Sequence, residues 1–163
     1  MSRSQQSSGR ELMCTTPSDR EIRTERVFDA PRERVWRAFT EPELVKQWWC
    51  RGNRMEIERM DVQQGGRWRF VEHGPDGDQG FEGQYREVTP PERIVTTFSW
   101  DGMPGYVLIE STSFEDLGDG RTRVVTLSLF HTTEERDGML SYGMADGQSQ
   151  SYEALDLVLE AMK

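Results

Sequence analysis

The chain has 163 residues, 34% hydrophobic and 10% aromatic, which is material for the core of one domain rather than two. A formal charge of -9 argues against the concentrated cationic face that phosphate backbones require, so nucleic acid is not expected as a partner. Mean hydropathy is -0.77 and no apolar run approaches the roughly 20 residues of a membrane helix, so no membrane insertion is expected.

Residues 1–18 are Ser/Gln/Arg-rich and aperiodic, and are expected to form a disordered tail ahead of a single domain over residues 19–163. The tail lacks the apolar core of a secretory signal, which points to a cytoplasmic protein. The stretch "REIRTERVFDA" reads as a strand, with Val27 and Phe28 facing opposite ways. In "APRERVWRAFT", Pro31 suits a first helical turn, and Val35, Trp36 and Phe39 recur at helical spacing. "TEPELVKQWWC" reads as a second short helix, with Thr40 and Glu43 as its capping box and Gly52 as its stop.

Six strands follow, separated by turn signals: "RMEIERMDV", "GRWRFVEH", "FEGQYREV", "RIVTTFSW", "YVLIESTSFED" and "RTRVVTLSLFH". Short turns throughout imply an antiparallel meander. Residues 148–163 close the chain as a helix, with Tyr152, Leu155, Leu159 and Met162 on one face. The fold class is therefore α+β: a curved antiparallel sheet wrapped around a long C-terminal helix, with two short helices after the first strand. A curved sheet and a straight helix do not mesh everywhere, so a cavity between them is expected.

Charge is uneven along the chain. Residues 132–163 hold seven acidic and two basic side chains, whereas the middle carries Arg51, Arg54, Arg59, Arg67 and Arg69. Such a strip could dock an acidic protein, although scattered arginines on sheet edges commonly serve solvation. Cys14 and Cys50 lack CxxC spacing or nearby histidines, so neither a metal site nor a disulfide framework is expected. No catalytic set emerges. His73 precedes a turn and His131 ends a strand, and both read as surface or rim residues; Glu110, beside Ile109 in mid-strand, either faces solvent, which is the expectation, or is a polar group inside a cavity. The glycines at 74, 77, 80 and 83 lack a Walker lysine and a following helix, and fit a hairpin better than a phosphate loop.

Five tryptophans in one small domain suit a pocket wall as well as a core, since each ring carries an N–H that wants a partner. Trp48, four residues from Leu44, is expected to pack on the body of the domain. Trp49, turned by one helical step, is expected toward the cavity mouth or a partner surface, with core packing that caps the open end of the sheet as the alternative.

Four strings together, "RVFDAPRERVWRAFTEPELVKQWW", "GGRWRFVEHGPDG", "FEGQYREVTPPERIVTTFSW" and "GMADGQSQSYEALDLVLE", resemble the activator of heat-shock protein 90 ATPase homologue family, within the START / birch-pollen-allergen (SRPBCC) superfamily. The resemblance implies a helix-grip fold whose cavity, in superfamily members, binds lipids, hormones or polyketide-like molecules and in some supports cyclase or hydrolase chemistry. It implies for this chain non-enzymatic binding of a small hydrophobic or amphipathic molecule, with no cofactor. The expected wall is Trp68, Phe70, Phe98, Trp100, Tyr106, Tyr152, Leu155 and Leu159, with Trp49 near the mouth. A co-chaperone-like interaction module is the alternative. A cyclase or hydrolase, which would need a polar group such as His73 or Glu110 in the cavity, is a further one. Where relatives carry tryptophans near the start of the last helix, this chain has Met144 and Gln148, implying a roomier, partly polar cavity end.

Overall fold

The computed structural model describes residues 10–163. Its sheet is built first. β1 (Met13–Thr15) and β2 (Glu21–Phe28) precede two helices, α1 (Arg32–Thr40) and α2 (Pro42–Val45). Six strands follow: β3 (Met55–Met60), β4 (Arg67–Gly74), β5 (Gly77–Thr89), β6 (Arg93–Trp100), β7 (Leu108–Gly118) and β8 (Arg121–Leu129). Two more helices end the chain, α3 (Thr133–Ser141) and α4 (Met144–Ala161). The strands form one sheet in the order β1-β2-β8-β7-β6-β5-β4-β3. Every neighbouring pair is antiparallel. β2 lies beside the last strand, so the meander is closed against its own beginning, and α4 crosses the inner face: the helix-grip arrangement.

The strands show why one face is inner. Along β8 the buried positions alternate as Thr122, Val124, Thr126 and Ser128, and along β2 as Ile22, Thr24, Arg26 and Phe28. α4 buries Tyr152, Leu155, Val158 and Leu159 against this face. Arg26, only 6% exposed, lies 4.6 Å above the Phe28 ring and forks onto Asp156 of α4 at 2.7 and 2.6 Å. The helix is thereby pinned in azimuth as well as held by apolar area. Among the described residues no helix is long and apolar enough to cross a membrane.

Three expectations need correction. Part of the expected disordered tail is a strand: β1 pairs Met13, Cys14 and Thr15 with Glu25, Thr24 and Arg23. It covers what would otherwise be the bare edge of β2; residues 1–9 of that expected tail lie outside the described residues. The Thr40–Glu43 capping box does not form. Thr40 is the last residue of α1 and its hydroxyl donates to the Trp36 carbonyl at 2.8 Å, so α2 starts at Pro42 with no side-chain cap. The true cap of this kind is Thr132, whose hydroxyl accepts from the Glu135 N–H at 3.1 Å and opens the unforeseen α3. Gly143, at φ 79°, then breaks the chain between α3 and α4, which starts four residues earlier than the expected 148.

Candidate functional site

The short α2 delivers the tryptophan pair. After Val45 the chain continues in turns, and Arg51 (φ 58°) and Gly52 (φ 80°) reverse it into β3. Trp48 points into the body: it is 3% exposed, its ring centroid lies 4.7 Å from that of Phe39, and its indole N–H donates to the Ala38 carbonyl at 3.0 Å. Trp49 points the other way, edge-on to Phe70 and Phe81, each at 5.0 Å, and to Trp68 at 5.9 Å. Ser151 of α4 holds this turn in place. Its hydroxyl donates to the Trp49 carbonyl at 2.8 Å and accepts from the Arg51 N–H at 3.0 Å.

Behind Trp49 is a cavity of about 630 Å³, within the size range of small-molecule sites. It lies between the inner face of β4–β8, the turn after α2, and the N-terminal half of α4. The two ends differ in chemistry. One end is aromatic: Trp49, Trp68, Phe70, Phe81 and Phe98 meet within 6.4 Å of one another along a chain of ring contacts. A missing side chain makes this packing possible. Gly83 lies opposite Trp68 in the β4–β5 register, and a Cβ there would stand 2.6 Å from the Trp68 Nε1 and 1.9 Å from the Thr97 carbonyl oxygen. The indole therefore passes across bare backbone and donates to Thr96 Oγ1 on the next strand at 2.8 Å.

The other end is polar. In register across the sheet, Thr96 pairs with Glu110 and Glu110 with Ser128, while Thr112 pairs with Thr126 and their hydroxyls are 3.1 Å apart. Gln148 and Tyr152 of α4 face this patch. Glu110 is half-buried and lines the cavity, and loss of bulk water pushes its carboxyl up to about 7, opposed by a hydrogen bond from Ser128. Burial, first among the causes, also raises the Tyr152 phenol to about 12. The Cys50 thiol is likewise raised to about 12 by burial and by the Glu72 carboxylate, which makes it a poor nucleophile. Glu72, 2% exposed, is satisfied by Arg51 at 2.6 Å and Asn53 at 2.7 Å.

Of the residues expected at the wall, Trp49, Trp68, Phe70, Phe98, Trp100 and Tyr152 line the cavity, as do Met144 and Gln148. Three do not. Leu155 and Leu159 are 0% and 3% exposed and fill solid core, because only the N-terminal half of α4 stands off the sheet. Tyr106 sits in the β6–β7 connection, 47% exposed and outside the cavity. Glu110, expected in solvent, faces inward: Leu108, Glu110, Thr112 and Phe114 alternate on the inner face of β7. His73 lies on the other face of β4 from Trp68, Phe70 and Glu72, between Glu56 at 2.8 Å and Asp78 at 2.9 Å. Sequence reasoning missed Phe81 and the polar patch. Thr96 two residues before Phe98, and Glu110 two after Leu108, share a face with apolar partners, a period-2 signal that marks both.

A family model described as Activator of Hsp90 ATPase homolog 1-like protein matches residues 29–160. The fold is similar to that of a protein from Rhodobacter sphaeroides, 26% identical over 94% of this chain and 100% of that one, with a TM-score of 0.85. It is also similar to a protein from Arthrobacter aurescens, 23% identical over 91% of each chain (TM-score 0.82), and to one from Chromobacterium violaceum, 26% identical over 85% of this chain and 96% of that one (TM-score 0.72). No curated protein matches the sequence.

Proposed function

We propose, from the premise that the chain belongs to the Activator of Hsp90 ATPase homolog 1-like protein family, and so to a group of ligand-binding or co-chaperone-type domains, that it binds a small amphipathic molecule inside the sheet–helix cavity. One observation carries this reading: a cavity of about 630 Å³ with an aromatic end and a polar end. An ordinary core would collapse such a void, since empty apolar space costs on the order of 24 cal/mol per Å³. The aromatic rings supply apolar area for a ligand body, and the hydroxyls, amide and carboxyl of the other end supply orientation.

Two of the five arginines expected to dock an acidic protein are already engaged within the domain. Arg69 is shared among Glu58, Glu82 and Asp101, and Arg51 is held by Glu72, so these two cations are already compensated.

Titration with 1-nonanol, followed by intrinsic tryptophan fluorescence, tests the proposal. The expected result is a saturable one-to-one change, with affinity about tenfold weaker in Trp49→Ala. A change that never saturates, or one identical in Trp49→Ala, would overturn it.

A further inference from the structure

The charge inventory of the cavity is lopsided. Among the described residues its lining holds three carboxylates, Glu72, Asp76 and Glu110, against one cation, Arg51. Arg51 is spent on Glu72 at 2.6 Å, and Asn53 completes that carboxylate's coordination. Glu110 has no such arrangement. It sits at the centre of the polar patch with Thr96 on one neighbouring strand and Ser128 on the other, and both are neutral. The remaining groups on this patch are hydroxyls and an amide from Thr112, Thr126, Tyr152 and Gln148. Arg26, the nearest buried cation on β2, is already forked onto Asp156.

A carboxyl enclosed without a counter-ion is costly when charged, and the cost is relieved by a cation that arrives with its own hydrogen-bond donors. The aromatic end, with Trp49 and Trp68 at 5.9 Å, supplies apolar area for the body of such a ligand. The chain's net charge of -9 attracts cations from solution.

We infer that the ligand of this cavity is an amphipathic amine, its protonated nitrogen against Glu110 and its apolar body against the Trp49–Trp68–Phe81 wall. The inference rests on the proposed cavity function and adds the chemical class. Ammonium N–H groups donate to the Glu110 carboxylate and to the Thr96 and Ser128 hydroxyl oxygens, which no carboxylate ligand can do. Binding therefore holds Glu110 in its ionised form, whereas an alcohol of the same length leaves it free to keep its proton.

The test compares nonylamine, 1-nonanol and nonanoate, three probes with one apolar body, by isothermal titration at about pH 8, where both amine and carboxylate carry charge. Wild-type protein is expected to bind nonylamine about tenfold or more tighter than 1-nonanol, with nonanoate weakest. Glu110→Gln should bind nonylamine no more tightly than 1-nonanol, with a near-UV circular dichroism spectrum like that of wild type reporting an intact fold. Binding of 1-nonanol without an amine preference, or a preference that survives Glu110→Gln, would overturn the inference and leave the cavity function standing. Failure of all three probes to bind would overturn both.

Discussion

At the residue scale, Trp48 and Trp49 are adjacent in the chain and opposite in role. Trp48 is 3% exposed, packed on Phe39 with its N–H satisfied, so Trp48→Ala removes packing and leaves the Ala38 carbonyl unpaired. The expected loss is about 3–5 kcal/mol, read as a fall in the urea midpoint. Trp49 already faces a cavity on one side, so Trp49→Ala enlarges a space that exists rather than creating one. Its cost should be smaller, about 1–2 kcal/mol, with the main effect on ligand affinity. Equal losses of stability in the two variants would contradict the division.

Two titrating groups add a pH dependence of one sign. Glu110, raised to about 7 from an ordinary 4.5, holds a proton in the folded state that the unfolded chain has lost. Stability therefore falls as pH rises through that window, by on the order of 2 kcal/mol. His73 is raised above 6.5 by hydrogen bonds to Asp78 and then Glu56, so its stabilisation is complete below 6.5 and is lost as pH rises through the higher folded value. Urea midpoints from about pH 5 to about pH 8 should fall in wild type, and fall less steeply in Glu110→Gln and in His73→Gln. Unchanged slopes in both variants would show that neither group is perturbed in solution.

At the scale of elements, the sheet was legible because its turns are strongly marked and its strands alternate cleanly. "GPDGDQG", "TPPE" and "LGDG" each fall at a strand end or hairpin, and all six strands expected after the helices are present. β1 and α3 were not legible for different reasons. Three residues of β1 carry too little periodicity to detect, and their pairing is decided by the free edge of β2. α3 is weakly amphipathic, with Met139 and Leu140 packed on a satellite cluster with Ile22, Leu108 and Phe130, and its one clear signal was the Thr132–Glu135 cap. Gly83 is the element-level test. Gly83→Ala places a methyl group against the Thr97 carbonyl and the Trp68 indole, so β5 or the indole must shift. We expect a loss of about 1–3 kcal/mol and a broken Trp68–Thr96 hydrogen bond, seen as a displaced indole N–H resonance. A variant as stable as wild type with that resonance unmoved would mean the strands are further apart than the structure shows.

For the molecule as a whole, the contents of the interior were harder to read than its outline. Alternation along β7 and β8 places side chains on a face, but whether that face meets core or cavity depends on where α4 lifts from the sheet. Tyr152 lines the cavity and Leu155, three residues on, is core; the sequence treats them alike as one apolar stripe. Glu110 was misplaced for the same reason, since a lone carboxylate in a strand ordinarily faces water.

The central claim is that the cavity takes a ligand between these walls. The most direct test follows the five tryptophan indole N–H resonances by NMR during titration with 1-nonanol. Trp48, Trp49, Trp68 and Trp100 line the cavity, whereas Trp36 packs on Phe114 away from it. The account predicts saturable shifts at Trp49, Trp68 and Trp100 with Trp36 nearly still. Shifts spread evenly over all five, or no saturable shift at Trp49, Trp68 and Trp100, would contradict it.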